Sequence, residues 1–146
     1  MIKKKFTIRK AQMADVKIVN SFLTKLIHDE KKYDSNINEN CIISSFYENF
    51  VENEQNCILL VEDHTVIIGY LYGFVINGVD AMFVENNYRN LGVGNALIDE
   101  FKKWSKQQGA KYIQLKVCNK NDNAISLYKK NGFESTKTIM LLELEE

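Results

Sequence analysis

The sequence predicts an α/β domain in which one mixed sheet is covered by helices. Short apolar runs of strand length alternate with longer stretches whose apolar residues recur at helical spacing. Glycines and Asn- or Asp-containing turns fall between them, where the chain must change direction. The chain of 146 residues, 45% hydrophobic and 26% charged, is long enough for one buried core and too short for two ordinary domains. Residues 1–146 therefore read as a single domain.

Lys4–Lys10 reads as the first strand. From Met13 to Lys31 the residues Met13, Val16, Val19 or Asn20, Leu23 and Ile27 fall near helical spacing. A polar break from Lys32 to Asn36 precedes a second helix reaching about Val51. Cys57–Val61 and Val66–Val75 flank Glu62-Asp63-His64-Thr65 and read as a hairpin. Asn77-Gly78 marks a tight turn into the strand Val79–Val84. After a polar loop, Gly92 and Gly94 open an amphipathic helix with Val93, Leu97, Phe101 and Trp104 on one stripe, stopped at Gly109. Tyr112–Val117 alternates apolar and polar residues as a strand does. The loop Asn119–Asn123 then leads to a helix that ends at Gly132, and Thr138–Glu145 reads as a last strand. The order is β-α-α-β-β-β-α-β-α-β.

Lys plus Arg equals Asp plus Glu at 19 each, so bulk charge advertises neither a nucleic-acid nor a membrane partner. The basic start Met1-Ile2-Lys3-Lys4-Lys5 runs into a strand-like segment rather than an apolar signal core, and no apolar stretch is long enough to span a bilayer. Cys41, Cys57 and Cys118 are unclustered and lack metal-ligand spacing. Reduced thiols, no metal and a cytoplasmic location are the expectation.

The informative chemistry lies at the end of the strand Val79–Val84. A strand, a glycine turn and a helix start form an anion site, because unpaired N–H groups and the helix dipole converge there. Arg89 would add a charge-assisted donor. A P-loop would need Lys and then Ser or Thr after its last glycine, where Asn95 and Ala96 stand. A dinucleotide loop would need a third glycine where Leu97 stands. The pattern present, Arg89-x-x-Gly92-x-Gly94, resembles the acetyl-CoA pyrophosphate loop of the GNAT superfamily of N-acetyltransferases. A second block strengthens the resemblance: Leu115-x-Val117, then Asn121-x-x-Ala124-x-x-x-Tyr128, then Gly132-Phe133. The two blocks occupy the C-terminal half in the order the family has them.

The resemblance implies a sheet splayed between its fourth and fifth strands to admit acetyl-CoA as cosubstrate. It implies that the main chain of Arg89, Asn90, Leu91, Gly92, Val93, Gly94 and Asn95 wraps the pyrophosphate. Met82, Phe83 and Val84 would lie along the pantetheine arm, Val84 offering backbone hydrogen bonds like an added strand, and Asn123 would contact the arm or cap its helix. Tyr128 matches the tyrosine that protonates the departing thiolate. Asp80, placed by simple alternation on the same face as Met82 and Val84, would be the base, with Glu85, His28 or a water chain as alternatives. His64 sits in a hairpin turn and is read as inert. The acceptor would be a primary amine of a small molecule or peptide. Asp29, Glu30 and Asp34 form a rim suited to a cation, although Lys31 and Lys32 interrupt it. A homodimer is compatible with this reading. The rival reading is a catalytically silent acetyl-CoA-binding regulatory module, against which the retained Tyr128 and Asp80 argue.

Overall fold

The runs Cys57–Val61 and Val66–Phe74 carry no charged residue and are apolar on both faces, so a sheet built from them must be covered on both faces. The computed structural model, which describes residues 6–38, 40–75 and 78–144, satisfies that demand. Strands β1 (Thr7–Lys10), β2 (Asn56–Asp63), β3 (Val66–Phe74) and β4 (Gly78–Val84) pair antiparallel in chain order. Helix α1 (Val16–Glu30) lies on one face. There Val16, Val19 and Phe22 pack with Ile58, Leu60, Tyr70, Tyr72, Ala81, Phe83 and Tyr47. Helix α2 (Val93–Gln107) covers the other face, and its stripe of Val93, Leu97, Phe101 and Trp104 is buried against Leu59, Val61, Leu71 and Val79. Helix α3 (Asp122–Lys130) packs beside α2. The α/β class with a helix-flanked sheet holds.

Local chemistry fixes the element ends. Arg9 in β1 grips Asp15, at the start of α1, through two bonds of 2.8 and 2.9 Å, and reaches Glu62 of β2 at 2.8 Å. His64 adopts a positive φ of 58° in the turn between β2 and β3. Gly109 and Gly132, with φ of 81° and 93°, follow the last turns of α2 and α3.

Three expected elements differ. The second helix up to Val51 is absent; a single 3-10 turn, Tyr47–Asn49, stands in its place. Side chains of α1 take the backbone donors such a helix would need. Asn20 Oδ1 accepts from Tyr47 N–H at 3.1 Å, and Thr24 Oγ1 accepts from Ile43 N–H at 2.8 Å. The stretch Tyr112–Val117 alternates as foreseen, with Ile113 and Leu115 turned toward the α2 layer, but forms no ladder. Among the described residues its one backbone bond to the sheet is Val79 N–H to the Gln114 carbonyl, 3.0 Å. The segment from Thr138 to Leu144 is likewise unpaired. Lys4, Lys5, Asn77 and Glu145, which belonged to expected strands and a turn, lie outside the described residues.

Gly73 shows how tightly α2 seats on the sheet: a Cβ there would collide with the Phe101 ring and stand 2.8 Å from the Gly78 carbonyl oxygen. Overpacking of this kind costs about 1–3 kcal/mol. Gly73→Ala is therefore expected to lower the urea midpoint with the slope unchanged. A midpoint equal to wild type would mean that α2 does not press on β3 there.

Candidate active site

From β4 the chain passes through a 3-10 turn, Asn86–Tyr88, to Gly92, which caps α2. Asn90 and Gly92 adopt left-handed backbone, with φ of 62° and 84°. Asn tolerates that region and Gly enters it freely. The consequence is a run of free donors: the N–H groups from Asn90 through Asn95 bond to nothing among the described residues, and the first bond of α2 runs from Ala96 N–H to the Gly92 carbonyl, 3.0 Å. Consecutive N–H groups at a helix start form an anion-binding nest. A Cβ at Gly92 would meet no protein atom within 4 Å, so the space before it is open. Gly94 has a different duty. A Cβ there would lie 3.1 Å from Leu127 Cδ2 and 3.8 Å from Met82 Cε, so its smallness lets α2 nestle between β4 and α3.

The Arg89 side chain does not join the nest. Its Nε donates to the Val84 carbonyl at 2.8 Å, and its Nη2 pairs with Asp29 Oδ2 on α1, also at 2.8 Å. Arg89 thus ties the loop to α1 instead of standing beside an anion. The Val84 carbonyl that was expected to meet an extended ligand is already occupied. Asn95 turns its side-chain oxygen to Asn131 Nδ2, 2.7 Å, leaving its backbone N–H for the nest.

Beside the nest, β4 and the 112–118 segment part. They meet where a Cβ on Gly78 would strike the backbone of Gln114, and where Val79 donates to it. Directly after Val79 the register with β3 slips: Gly73 faces Val79 and Tyr72 faces Ala81, leaving Asp80 without a cross-strand partner. This bulge overturns the simple alternation. Met82 and Val84 face the α2 layer, whereas Asp80 lies within electrostatic range of Glu30, Tyr47, Tyr70 and Tyr72, which belong to the α1 side. Phe83 is buried against Phe22 of α1, ring centroids 5.4 Å apart, so only its backbone faces the parting strands.

Four ionisable groups converge here. Burial raises the Asp80 carboxyl above its ordinary range, with Lys116 opposing. Burial, then the charges of Asp34, Asp29 and Asp80, raise Glu30. Burial pushes the Tyr128 phenol up to about 12, with Glu30 adding to it. Burial and then Asp34 and Glu30 raise the Cys118 thiol. Glu30 is thus the electrical link between Asp80 and Tyr128, and the sequence reading had placed it only in a charged rim. The signal was its spacing to Asp34 at i, i+4. The intervening lysines do not neutralise the pair: Lys31 Nζ donates to the Ser35 and Ile37 carbonyls at 2.8 and 2.7 Å, and Lys32 sits over the Tyr33 ring.

The Tyr128 ring packs edge-on against Phe133, while its hydroxyl makes no hydrogen bond among the described residues. Among the described residues no fully buried side-chain polar atom lacks a partner, so this hydroxyl is not sealed from solvent. The cap of α3 is Asn121, whose Oδ1 accepts from Ala124 N–H at 3.2 Å. Asn123 is therefore not the cap; it is exposed, with its amide unengaged. Of the alternative bases, Glu85 is held by Lys25 at 2.5 Å. His28 Nε2 lies 2.9 Å from the Cys41 carbonyl oxygen. His64 stands in solvent.

The profile of the acetyltransferase (GNAT) family matches residues 22–133. An uncharacterised N-acetyltransferase of Methanocaldococcus jannaschii is 33% identical over 61 residues, covering 42% of this chain and 27% of that protein. An acetyltransferase of Sodalis glossinidius is 31% identical over 83 residues, covering 52% of this chain and 58% of that protein. The matches thus span only part of these relatives. A mutant of the BH1408 protein of Bacillus halodurans superposes with a TM-score of 0.86 at 20% identity, over 95% of this chain and 99% of that one. The structure of AAC(6')-Iy with a bisubstrate analogue, CoA-S-monomethyl-acetylneamine, superposes with a TM-score of 0.70 at 16% identity, over 97% and 99%. At these identities the structures speak for the fold alone. Among the described residues no helix is long and apolar enough to cross a membrane.

The buried phenols carry a pH signature. Tyr47 and Tyr70, whose hydroxyls lie 2.9 Å apart, and Tyr128 all ionise later in the fold than the pH of about 10 usual for a free phenol. Above that pH the unfolded chain has lost protons that the native state keeps, so stability falls as pH rises. Each such phenol steepens the fall by up to about 1.4 kcal/mol per pH unit. Urea unfolding at about pH 9, 10 and 11 is expected to show this decline, shallower in Tyr128→Phe. Equal slopes would return the Tyr128 phenol to its ordinary range.

Proposed function

The chain belongs to the acetyltransferase (GNAT) family, and from that premise we propose that it moves an acetyl group from acetyl-CoA to a primary amine of a small molecule or peptide, by direct attack in a ternary complex. The observation that carries the reading is the row of free N–H groups, Asn90 through Asn95, at the mouth where β4 leaves the 112–118 segment. Orphaned donors beside an open glycine fit a pyrophosphate, and the open strands above them fit the arm that follows it. Asn123, exposed and unengaged on α3, would contact that arm. When bound, acetyl-CoA supplies the thioester carbonyl.

The chain's own groups would manage charge and protons. Amines of this kind are cationic near neutral pH, and Asp80, Glu30 and Asp34 form an acidic wall that concentrates them. A carboxylate with a raised pKa is the better proton acceptor, so Asp80, directly or through water, takes the ammonium proton and frees the nitrogen lone pair. As nitrogen bonds to the carbonyl carbon and the carbon–sulfur bond breaks, Tyr128, still protonated at neutral pH, gives its proton to the thiolate. The phenolate then recovers a proton from solvent or from the carboxyl that took one. The acidic wall favours acceptors with more than one positive charge. The three free cysteines suit a reducing cytoplasm.

Two experiments test this reading. Acetyl-CoA should raise the melting temperature, since a ligand bound only by the native state stabilises it by mass action. Gly92→Val places a branched side chain in the open space and strains a φ of 84°, and should abolish the rise. A rise of the same size in the mutant would separate the nest from the cofactor.

The second is a thiol-release assay with acetyl-CoA and a panel of mono-, di- and polyamines. Tyr128→Phe keeps the ring against Phe133 and should slow turnover by about 10²–10⁴-fold with acetyl-CoA binding unchanged. Asp80→Asn should lose most activity at low pH, where the amine most needs a base. Wild-type rates in both variants, where chemistry limits turnover, would remove both residues from the mechanism. Binding without turnover on any amine would favour a silent acetyl-CoA-binding module.

A further inference from the structure

A lysine faces the acidic wall. Ile113 and Leu115 pack toward the α2 layer. In an extended segment alternate residues turn the opposite way, so Lys116 and Cys118 face the α1 side. The electrostatics agree: Cys118 feels the charges of Asp34 and Glu30, and Lys116 opposes the rise of Asp80. Lys116 follows Gln114 by two residues and Asp80 follows Val79 by one, so both side chains leave the backbone just past the last bond that joins the two segments.

Lys116 is exposed and makes no hydrogen bond or close ion pair among the described residues. The lysines at the end of α1 are spent, Lys31 on two carbonyls and Lys32 on the Tyr33 ring. Nothing comparable fixes the Lys116 ammonium, and its flexible stem lets it swing. It is a primary amine, the chemical class this site is read as acylating, and it is tethered beside the carboxylate read as the base. A short flexible tether gives an effective concentration of about millimolar, and holding the reactants together removes much of the entropic barrier.

We propose that Lys116 is a self-acetylation site, at which the chain passes an acetyl group from acetyl-CoA to its own Lys116 Nζ. The inference rests on the acetyltransferase reading above and adds to it an acceptor built into the chain. Asp80 takes a proton from the ammonium, and the freed nitrogen lone pair bonds to the carbonyl carbon. The carbon–sulfur bond breaks and coenzyme A leaves as the thiol, with a proton from Tyr128. The second proton that nitrogen sheds restores Tyr128, and the one held by Asp80 goes to solvent. Lys116 ends as a neutral amide. Its positive charge no longer offsets Asp80, so the wall pulls harder on a cationic acceptor, and the first transfer primes the groove for those that follow.

The full chain is incubated with acetyl-CoA and no added amine, then followed by intact mass and peptide mapping. One acetyl group per chain is expected, at Lys116, at a rate independent of protein concentration. Tyr128→Phe should slow its arrival by about 10²–10⁴-fold. Lys116→Arg keeps the charge but offers no acylable amine, and should take up no acetyl group. Lys111, exposed on the same segment, reports background reaction in solution. Equal labelling of Lys111 and Lys116 overturns the proposal, as does a rate that rises with protein concentration, which would mean transfer between molecules. A chain that acetylates free amines but leaves Lys116 bare overturns it and spares the acetyltransferase reading; a chain that acetylates nothing removes both. A second measurement needs no acetyl-CoA: in calorimetry spermidine should bind more tightly to Lys116→Gln than to wild type, because no ammonium contests Asp80. Equal affinities, or binding to neither, would turn Lys116 away from Asp80 and overturn the proposal as well.

Discussion

The parting of β4 from the 112–118 segment is the constraint on which the rest depends. Val79 is the last residue of β4 to bond across that gap, and the extra residue at Asp80 turns the strand away immediately afterwards. A bulge re-aims side chains, and this one re-aims Asp80 while the ladder with β3 continues to Val84. Beyond Val79 the 112–118 segment makes no backbone bond to β4, which leaves the sheet open beside a loop of free N–H groups. The bulge delivers a carboxylate to the α1 side, within electrostatic range of Glu30, which in turn acts on Tyr128. Had β4 kept plain alternation, Asp80 would face the α2 layer beside Met82 and Val84, and the acidic wall would lose a member.

The electrostatics of the groove run against stability. After burial, the like charges of Asp34, Asp29 and Asp80 raise the affinity of Glu30 for protons, and Lys31 and Lys32 are engaged with backbone carbonyls or an aromatic ring. At the far edge of the sheet a pair does form: Arg9 holds Asp15 well below the usual carboxylate range and also binds Glu62. Perturbed groups clustered in a cleft mark functional sites more often than structural ones.

Much of this was legible in the sequence. The α2 stripe, the stops at Gly109 and Gly132, the hairpin and the glycine nest follow from spacing alone, because each obeys a local rule. The rest depends on partners far along the chain. Asn20 and Thr24 capture the donors of a segment that reads as a helix, and nothing in that segment announces it. The bulge at Asp80 adds a residue to β4, and its glycine, Gly73, stands on the partner strand β3, where β4's own sequence does not show it. Asn121 rather than Asn123 caps α3, since either could by type and only the backbone path decides. The role of Glu30 was hidden because charge runs on a helix end usually face solvent.

Arg89 exposes the limit of motif reading most clearly. Its place in the loop pattern suggested a charged donor for an anion, yet its guanidinium spans the Val84 carbonyl and Asp29, and Lys25 and Glu85 add a second tie between α1 and the loop. Exposed pairs of this kind contribute about 0–1 kcal/mol each, so they set the loop's position without locking it. A ligand arm that needs the Val84 carbonyl must displace one hydrogen bond, a net cost of about 0.5–1.5 kcal/mol, well within what the nest can return. The same displacement would loosen Asp29 at the end of α1, one residue from Glu30. Arg89 is thus the physical connection by which displacing that bond would reach the acidic wall.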